Sequence, residues 1–171
     1  SSSLEKIVKV VDPRPGEIMF GLNLVVNRGK TIFICDTSVI EYPDANQLAD
    51  MAKSAARVVK LFGFDPKVAF LSHSTFGQPV TDRTKRISDA VEILKKSNVD
   101  FKFDGEMQPD VALEEVYKEL YPFSEIVGSS NVLIMPSQHS AAISYKMIKS
   151  MSRAKVIGPL LIGLGLPIEI A

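Results

Sequence analysis

The chain reads as an α/β fold: a three-layer α/β/α arrangement around a mostly parallel sheet, with an antiparallel hairpin at one edge. Three observations lead there. Apolar runs such as Val68-Ala69-Phe70-Leu71 alternate with segments of helical period, the order expected of strand and helix layers. The interior runs are continuously apolar, as strands covered on both faces are. The length of 171 residues suits one such domain, which at this size buries roughly 70% of its unfolded surface.

Met19 to Val26 is apolar and partly alternating, a strand. Asn27-Arg28-Gly29-Lys30 is a tight turn and the β-branched Thr31 to Ile34 its return strand, so the two form a hairpin. Asp36 to Pro43 is a loop. Asp44, with Gln47 three residues on, has capping-box spacing, and Leu48, Met51, Ala52, Ala55, Val58, Val59 and Phe62 then keep one helical face. Gly63 suits the residue that ends such a helix. Val68 to Leu71 is a buried strand, followed by the polar loop Ser72 to Gly77. Thr81 to Lys96 is a helix with Ile87, Val91 and Leu94 inward. Phe101 to Phe103 is a short strand, with Asp104-Gly105-Glu106 as the turn after it. Pro109 to Leu120 reads as one helix with proline early, Val132 to Met135 as a strand, and Gln138 to Met151 as a helix carrying Ile143, Met147 and Ile148. Val156-Ile157 and Pro167 to Ile170 close the sheet on either side of the Gly-rich stretch Gly158 to Gly165.

Composition narrows the function classes. Lys+Arg and Asp+Glu both number 20, a formal net charge of zero, which counts against nucleic acid as a partner because that binding draws on a basic excess. No apolar run approaches the roughly 18 residues of a membrane span, and no signal-peptide core opens the chain, so no membrane partner is expected. Cys35 is alone; an intrachain disulfide is impossible, and a reducing, cytoplasmic setting fits. Residues 1–17 read as a linker or the start of an adjoining subdomain, and 18–171 as one domain. Ile168-Glu169-Ile170-Ala171 looks like a strand with nothing after it, so a longer parent chain is expected.

In open α/β sheets, ligands sit where strand ends open into loops. Ser72-His73-Ser74-Thr75 follows a buried strand, and its hydroxyls and N–H groups either hold an anion or cap the loop. His73 as a general base would need a nucleophile and an orienting carboxylate; the sequence shows neither, and a structural role is preferred. Asp104-Gly105-Glu106 offers two carboxylates for metal or acid–base work, but two alone are few for a metal. A structural or substrate-positioning role is preferred, and no metal site is assigned. Asn131, beside Ser129 and Ser130, anchors neighbouring loops or touches a ligand. Tyr145 and Lys146 lie on the helix after Pro136, where Lys146 either meets a phosphate or is simply solvated. Gly158-Pro159, with Gly163 and Gly165, lacks the GxGxxG dinucleotide pattern and permits close backbone packing or a ligand-facing loop. Cys35 is expected to be buried and inert. Arg83, Lys85 and Arg86 read as a solvated helix face, with a phosphate role as the alternative.

The ordered motifs resemble the phosphate acetyl/butyryl transferase family from about Phe20 to Ile168. The carrying segments are Ile34-Cys35-Asp36-Thr37, Pro43-Asp44-Ala45-Asn46-Gln47-Leu48-Ala49, and Leu61-Phe62-Gly63-Phe64-Asp65-Pro66-Lys67 running into Val68 to Ser74. Asp104-Gly105-Glu106-Met107, Asp110-Val111-Ala112-Leu113, Asn131 to Pro136, Ile143-Ser144-Tyr145-Lys146 and Ile157-Gly158-Pro159 complete the set. Within the family the chain most resembles the phosphotransacetylase-like C-terminal domain of bacterial NADP-dependent malic enzymes. Met107 stands where the acyltransferases tend to carry Leu, and Ala141-Ala142 where they tend to carry Gly-Asn.

The resemblance implies a parent with two α/β/α domains, the second inserted into the first, and an acyl-CoA cleft between them; this chain is essentially the second. It implies no catalytic residue here, because the Ser-Arg-Gly-Cys-like stretch of the acyltransferases lies beyond the last strand. The implied acyl-CoA or phosphate cleft draws on Ser72, His73, Ser74, Thr75, Asp104, Gly105, Glu106, Asn131, Tyr145, Lys146, Gly158 and Pro159. The parent would oxidatively decarboxylate malate to pyruvate with NADP and a divalent metal held elsewhere. This segment would carry no cofactor, respond to acetyl-CoA and build a homo-oligomer. The alternative is part of an active phosphate acetyltransferase or butyryltransferase moving an acyl group between CoA and phosphate. A third reading is a CoA-independent oligomerisation module.

Overall fold

The computed structural model describes residues 19–37 and 40–163. Strand β1 (Phe20–Asn27) turns through Arg28 and Gly29 into β2 (Lys30–Asp36). Helix α1 (Ala45–Leu61) opens on the expected capping box: the Asp44 side chain accepts from the Gln47 N–H, and the Gln47 side chain accepts from the Asp44 N–H. There follow β3 (Lys67–Leu71), α2 (Asp82–Lys95), β4 (Lys102–Met107), a short α3 (Pro109–Leu113), a 3₁₀ turn (Glu115–Lys118), β5 (Val132–Ile134), α4 (Gln138–Met151) and β6 (Lys155–Ile162).

The six strands form one sheet in the order β4-β3-β5-β2-β1-β6. β4, β3, β5 and β2 are parallel, whereas β1 is antiparallel to both β2 and β6. The antiparallel hairpin therefore sits at one side of a mostly parallel sheet, as expected, and β6 lies outside it. Side chains alternate between faces along each strand. Phe33, Phe70 and Val132 join Leu48, Met51, Ile87 and Leu94 of α1 and α2 in one core. Ile34, Ala69, Leu71 and Leu133 join Met107, Val111 and Ala141 in the other. The result is three layers.

Several local readings change. Asp104-Gly105-Glu106 is not a turn but part of β4. The register shifts there, with Phe70 opposite Gly105 and Leu71 opposite Met107, so Glu106 is the extra residue of a bulge. Glycine is required at this crossing, because a Cβ on residue 105 would lie 2.8 Å from Phe70 Cβ and 2.9 Å from its carbonyl oxygen. Gly158-Pro159 is likewise not in a loop but inside β6, where the pairing with β1 shifts between Leu22 and Leu24. A Cβ on Gly158 would come within 2.8 Å of Asn23 Oδ1, so close packing is what this glycine permits.

The helix expected over Pro109 to Leu120 stops at Leu113. Glu114 is extended (φ −97°, ψ 125°). The Val111 and Ala112 carbonyls accept instead from the N–H groups of Gly128 (2.9 Å) and Ser130 (3.1 Å), so tertiary bonds end the helix. α4 has the expected bounds, yet only Ala141 is buried on it. The strand expected over Pro167 to Ile170 lies outside the described residues.

Candidate functional site

Because β2, β5 and β3 run parallel, their ends at Asp36, Ile134 and Leu71 share one edge of the sheet. The two long helices that follow β3 and β5 begin at that edge. Thr81 caps α2 by accepting from the Thr84 N–H, and Ser137 caps α4 by accepting from the Ser140 N–H. Both N-termini bring partial positive charge to the same place. Between them lies a pocket of about 150 Å³, lined by Ser72 and His73 after β3, Pro136 and Ser137 after β5, Arg83, Thr84, Arg86 and Ile87 of α2, and Tyr42.

Two devices shape this pocket. The first is the Glu106 carboxylate, 3% exposed. It accepts from the fully buried Ser74 hydroxyl and from the Gly77 N–H (3.1 and 3.2 Å to its two oxygens). Ser74 Oγ lies 3.0 Å from Ser72 Oγ. Thr75 Oγ1 accepts from the Gln108 N–H at 3.1 Å, and Gln108 Nε2 donates to the His73 carbonyl at 3.1 Å. The end of β4 thus clamps the whole loop after β3, leaving His73 as its exposed member.

The second device is Arg86. Its guanidinium lies 3.8 Å from the centroid of the Tyr42 ring. It donates to the Pro43 carbonyl and, at 3.0 Å, to the Pro136 carbonyl. One planar fork therefore ties the loop before α1 to the loop after β5. Its Nε is buried without a hydrogen-bond partner among the described residues. Arg83, a turn nearer the helix start, is exposed and also lines the pocket. The Arg83–Arg86 pair is thus not a uniformly solvated face. A signal for this was present: Arg83 stands four residues before Ile87, and Arg86 four before Ala90. Both prolong the apolar stripe of α2 past the sheet edge.

The candidate residues divide by position. Ser72, His73, Ser74, Thr75 and Glu106 come together. Of these, Ser72 and His73 reach the pocket wall, whereas Ser74, Thr75 and Glu106 are spent on holding the loop. Asp104 accepts from the Gly105 N–H at 2.9 Å. Asn131 lies at the opposite, N-terminal edge of the sheet. It accepts from the Lys67 N–H at 2.7 Å and donates to the Asp65 carbonyl at 2.9 Å, an anchor for the start of β3. Tyr145 packs on the second core and Lys146 is exposed on α4; neither lines the pocket. Gly158-Pro159 is separated from β3 by β5, β2 and β1. Tyr42, Thr84 and Ser137 are pocket residues that the sequence did not single out.

Cys35, at the end of β2, is fully buried. Burial first, and the neighbouring Asp36 second, push its thiol well above the ordinary range, so it stays protonated and unreactive. Among the described residues no group of three His, Cys, Asp or Glu is arranged to hold a metal ion. No helix among them is long and apolar enough to cross a membrane.

What the edge can do is hold an anion. His73, Arg83 and two helix N-termini supply donors and positive potential. The hydroxyls of Ser72 and Ser137 add orientable partners. Among the described residues Glu106 does not act as an orienting carboxylate for His73, because it faces Ser74 and Gly77 instead.

Comparison with known proteins matches residues 1–171 to the family described as phosphate acetyl/butaryl transferase. The chain is 44% identical to the NADP-dependent malic enzyme of Rhizobium meliloti (strain 1021), over its full length but only 22% of that protein. It is 35% identical to the phosphate acetyltransferase of Bacillus subtilis (strain 168), over 85% of this chain and 46% of that one. Among solved structures it matches a phosphotransacetylase from Streptococcus pyogenes with a TM-score of 0.85 and 28% identity, covering 98% of this chain and 53% of that one. EutD phosphotransacetylase from Staphylococcus aureus gives a TM-score of 0.84 and 26% identity, covering 96% and 52%. The chain thus spans about a fifth of the malic enzymes and about half of the acyltransferases it matches.

Proposed function

Since the chain belongs to the phosphate acetyl/butaryl transferase family, we propose that it is a phosphotransacetylase-like C-terminal regulatory domain of an NADP-dependent malic enzyme and that its sheet edge binds acetyl-CoA. The full-length 44% identity to one such enzyme supports the parent. The observation that carries the ligand is the pocket between the ends of β3 and β5, which His73 and Arg83 line together with Ser72 and Ser137. Its size suits a phosphate group rather than a whole CoA molecule, so the remainder of the ligand extends outside it. Arg83 would neutralise phosphoryl oxygens and His73 would donate a ring N–H to them, while Arg86 keeps the two loops in register.

On this reading the domain acts by linkage. Acetyl-CoA inhibits malate oxidation in the parent only if it binds one conformational state better than the other. Oxidative decarboxylation with NADP and a divalent metal belongs to the rest of the parent. The described residues fit neither group: they hold no metal-ligand cluster and no GxGxxG turn. A cytoplasmic setting accords with the lone, buried Cys35.

The test is calorimetric titration of acetyl-CoA into the protein and its Arg83→Ala variant, with malate oxidation by the parent assayed alongside. Saturable binding weakened at least tenfold by Arg83→Ala, and inhibition weakened in step, is expected. Binding unchanged by Arg83→Ala would overturn the site. The second reading, an acyltransferase segment, is favoured by the TM-scores to phosphotransacetylases. It predicts that the parent moves an acetyl group from acetyl phosphate to CoA with release of phosphate, and inhibition without such transfer would exclude it.

A further inference from the structure

Three aromatic rings stand together beyond the ends of β3 and β4. The Phe76 centroid lies 5.0 Å from that of Phe123 and 5.4 Å from that of Tyr121, and the Tyr121 and Phe123 centroids are 6.2 Å apart. All three pairs are tilted or edge-to-face, the favoured geometry of aromatic contacts. Phe76 and Tyr121 are half-buried against the second core. Phe123 is the open ring of the three, 67% exposed. Phe76 also carries backbone strain. Its φ is +46°, a left-handed conformation that a bulky residue rarely adopts. The Phe76 N–H donates to the Glu106 carbonyl at 2.8 Å, and Thr75 and Gln78 exchange backbone bonds of 3.2 and 3.1 Å around it. Strain that its surroundings maintain in this way gathers at ligand sites.

The rings adjoin the anion pocket. His73, which lines that pocket, precedes Phe76 by three residues in one clamped loop, so their Cα atoms are at most about 11 Å apart. Val80, 71% exposed, continues the apolar surface on the other side. A Cβ on Gly77 would lie 3.6 Å from Val80 Cγ2, and Val80 leads directly into α2 and the pocket residue Arg83. Ring surface and phosphate donors are thus neighbours on one sheet edge. CoA has the matching order, because a single ribose separates its adenine from its 3′-phosphate and from its pyrophosphate. A nucleobase stacks on an aromatic face whatever its hydrogen-bonding pattern.

We propose that Phe123, backed by Phe76 and Tyr121, stacks the adenine ring of acetyl-CoA while the anion pocket holds a phosphate of the same nucleotide. This assignment rests on the acetyl-CoA reading above and adds to it a base-binding subsite. Phe76 and Tyr121 fix the Phe123 ring before the ligand arrives, so little side-chain freedom is lost on binding. The strained turn at Phe76 sets the spacing between base and phosphate, since it places the supporting ring in the same loop as His73.

Calorimetric titration with acetyl-CoA and with adenosine 3′,5′-bisphosphate, which carries the base and phosphates without the acyl arm, tests the subsite. The bisphosphate is expected to bind and to compete with acetyl-CoA. Phe123→Ala should weaken both ligands by about tenfold, the scale of one stacked base, with the urea midpoint unchanged because the ring is exposed. Phe123→Tyr should keep the affinity and Phe123→Leu should not, since the latter supplies apolar area without a π face. Nuclear Overhauser contacts between the adenine ring protons and those of Phe123 are expected in the complex. Acetyl-CoA binding that Arg83→Ala weakens and Phe123→Ala leaves alone would overturn the subsite while the acetyl-CoA reading stands. A bisphosphate that does not compete, or a Phe123→Leu variant that binds as well as the natural chain, would overturn it too. Absence of any acetyl-CoA binding would overturn both.

Discussion

Replacing Glu106 by glutamine tests the clamp that shapes the site. The carboxylate receives the Ser74 hydroxyl and the Gly77 N–H. Hydrogen bonds to a charged group contribute about 1.5–3 kcal/mol each, so the pair contributes about 3–6 kcal/mol. Glutamine keeps one acceptor oxygen, at a neutral strength of about 1 kcal/mol, and turns an NH₂ group toward donors it cannot satisfy. Removing a buried charge also relieves a desolvation penalty of several kcal/mol, which offsets part of the loss. The expected net destabilisation is about 2–3 kcal/mol. With a urea slope of about 2 kcal/mol/M, the unfolding midpoint should fall by about 1–1.5 M. Ser74→Ala and the double variant close a cycle whose coupling should be about 1–2 kcal/mol. A Glu106→Gln midpoint within about 0.2 M of the natural one, together with zero coupling, would refute the clamp.

Three other perturbations probe separate features. Gly105→Ala pushes a methyl group into Phe70 and should destabilise by about 1–3 kcal/mol, the range for overpacking, measured by thermal unfolding. Arg86→Lys removes the planar fork between the Pro43 and Pro136 carbonyls; a loss of about 1–3 kcal/mol in urea unfolding is expected, with weaker acetyl-CoA binding by calorimetry. Cys35 gives a pH signature. Its folded thiol titrates well above the ordinary range because it is buried. Its stability contribution is therefore complete below an unfolded thiol value of about 8.5 and is lost as pH rises from there toward the folded value. Urea midpoints should fall more steeply between pH 8 and pH 10 in the natural chain than in Cys35→Ala.

Features governed by near neighbours were legible in the sequence, and those governed by distant ones were not. The Asp44–Gln47 box and the bounds of α4 depend on residues a few positions apart, and both stand as read. Val68 to Leu71 is apolar whatever covers it, so β3 was plain. β4 was cut short because an acid–glycine–acid run looks like a turn. Only the Ser74 and Gly77 donors, some thirty residues earlier, make a buried strand carboxylate tolerable. The end of α3 was invisible for a similar reason, since Gly128 and Ser130 take the carbonyls that would have continued it. Asn131 and Gly158 fell away from the site for a topological reason. A residue's place before or after a parallel strand decides which sheet edge it occupies, and the strand order decides how far it lies from its neighbours. Arg86 carries a charge that suits a solvated surface, yet it stands four residues before the buried Ala90, in phase with the inner face of α2.

The seat of β1 between β2 and β6 has a consequence for how the chain is made. β1 can pair with β2 as soon as the hairpin emerges, because only two residues separate them. Its other edge must wait for Lys155–Ile162. At synthesis rates of about 5–20 residues per second, that wait is on the order of ten seconds. Throughout it, an apolar strand containing Phe20, Leu22, Leu24 and Val25 presents open backbone donors and acceptors to any other extended segment. The nascent chain is therefore most exposed to mispairing on the side of the sheet that is finished last, and a chaperone that shields Phe20–Asn27 should raise the yield of folded protein more than one acting on the parallel strands.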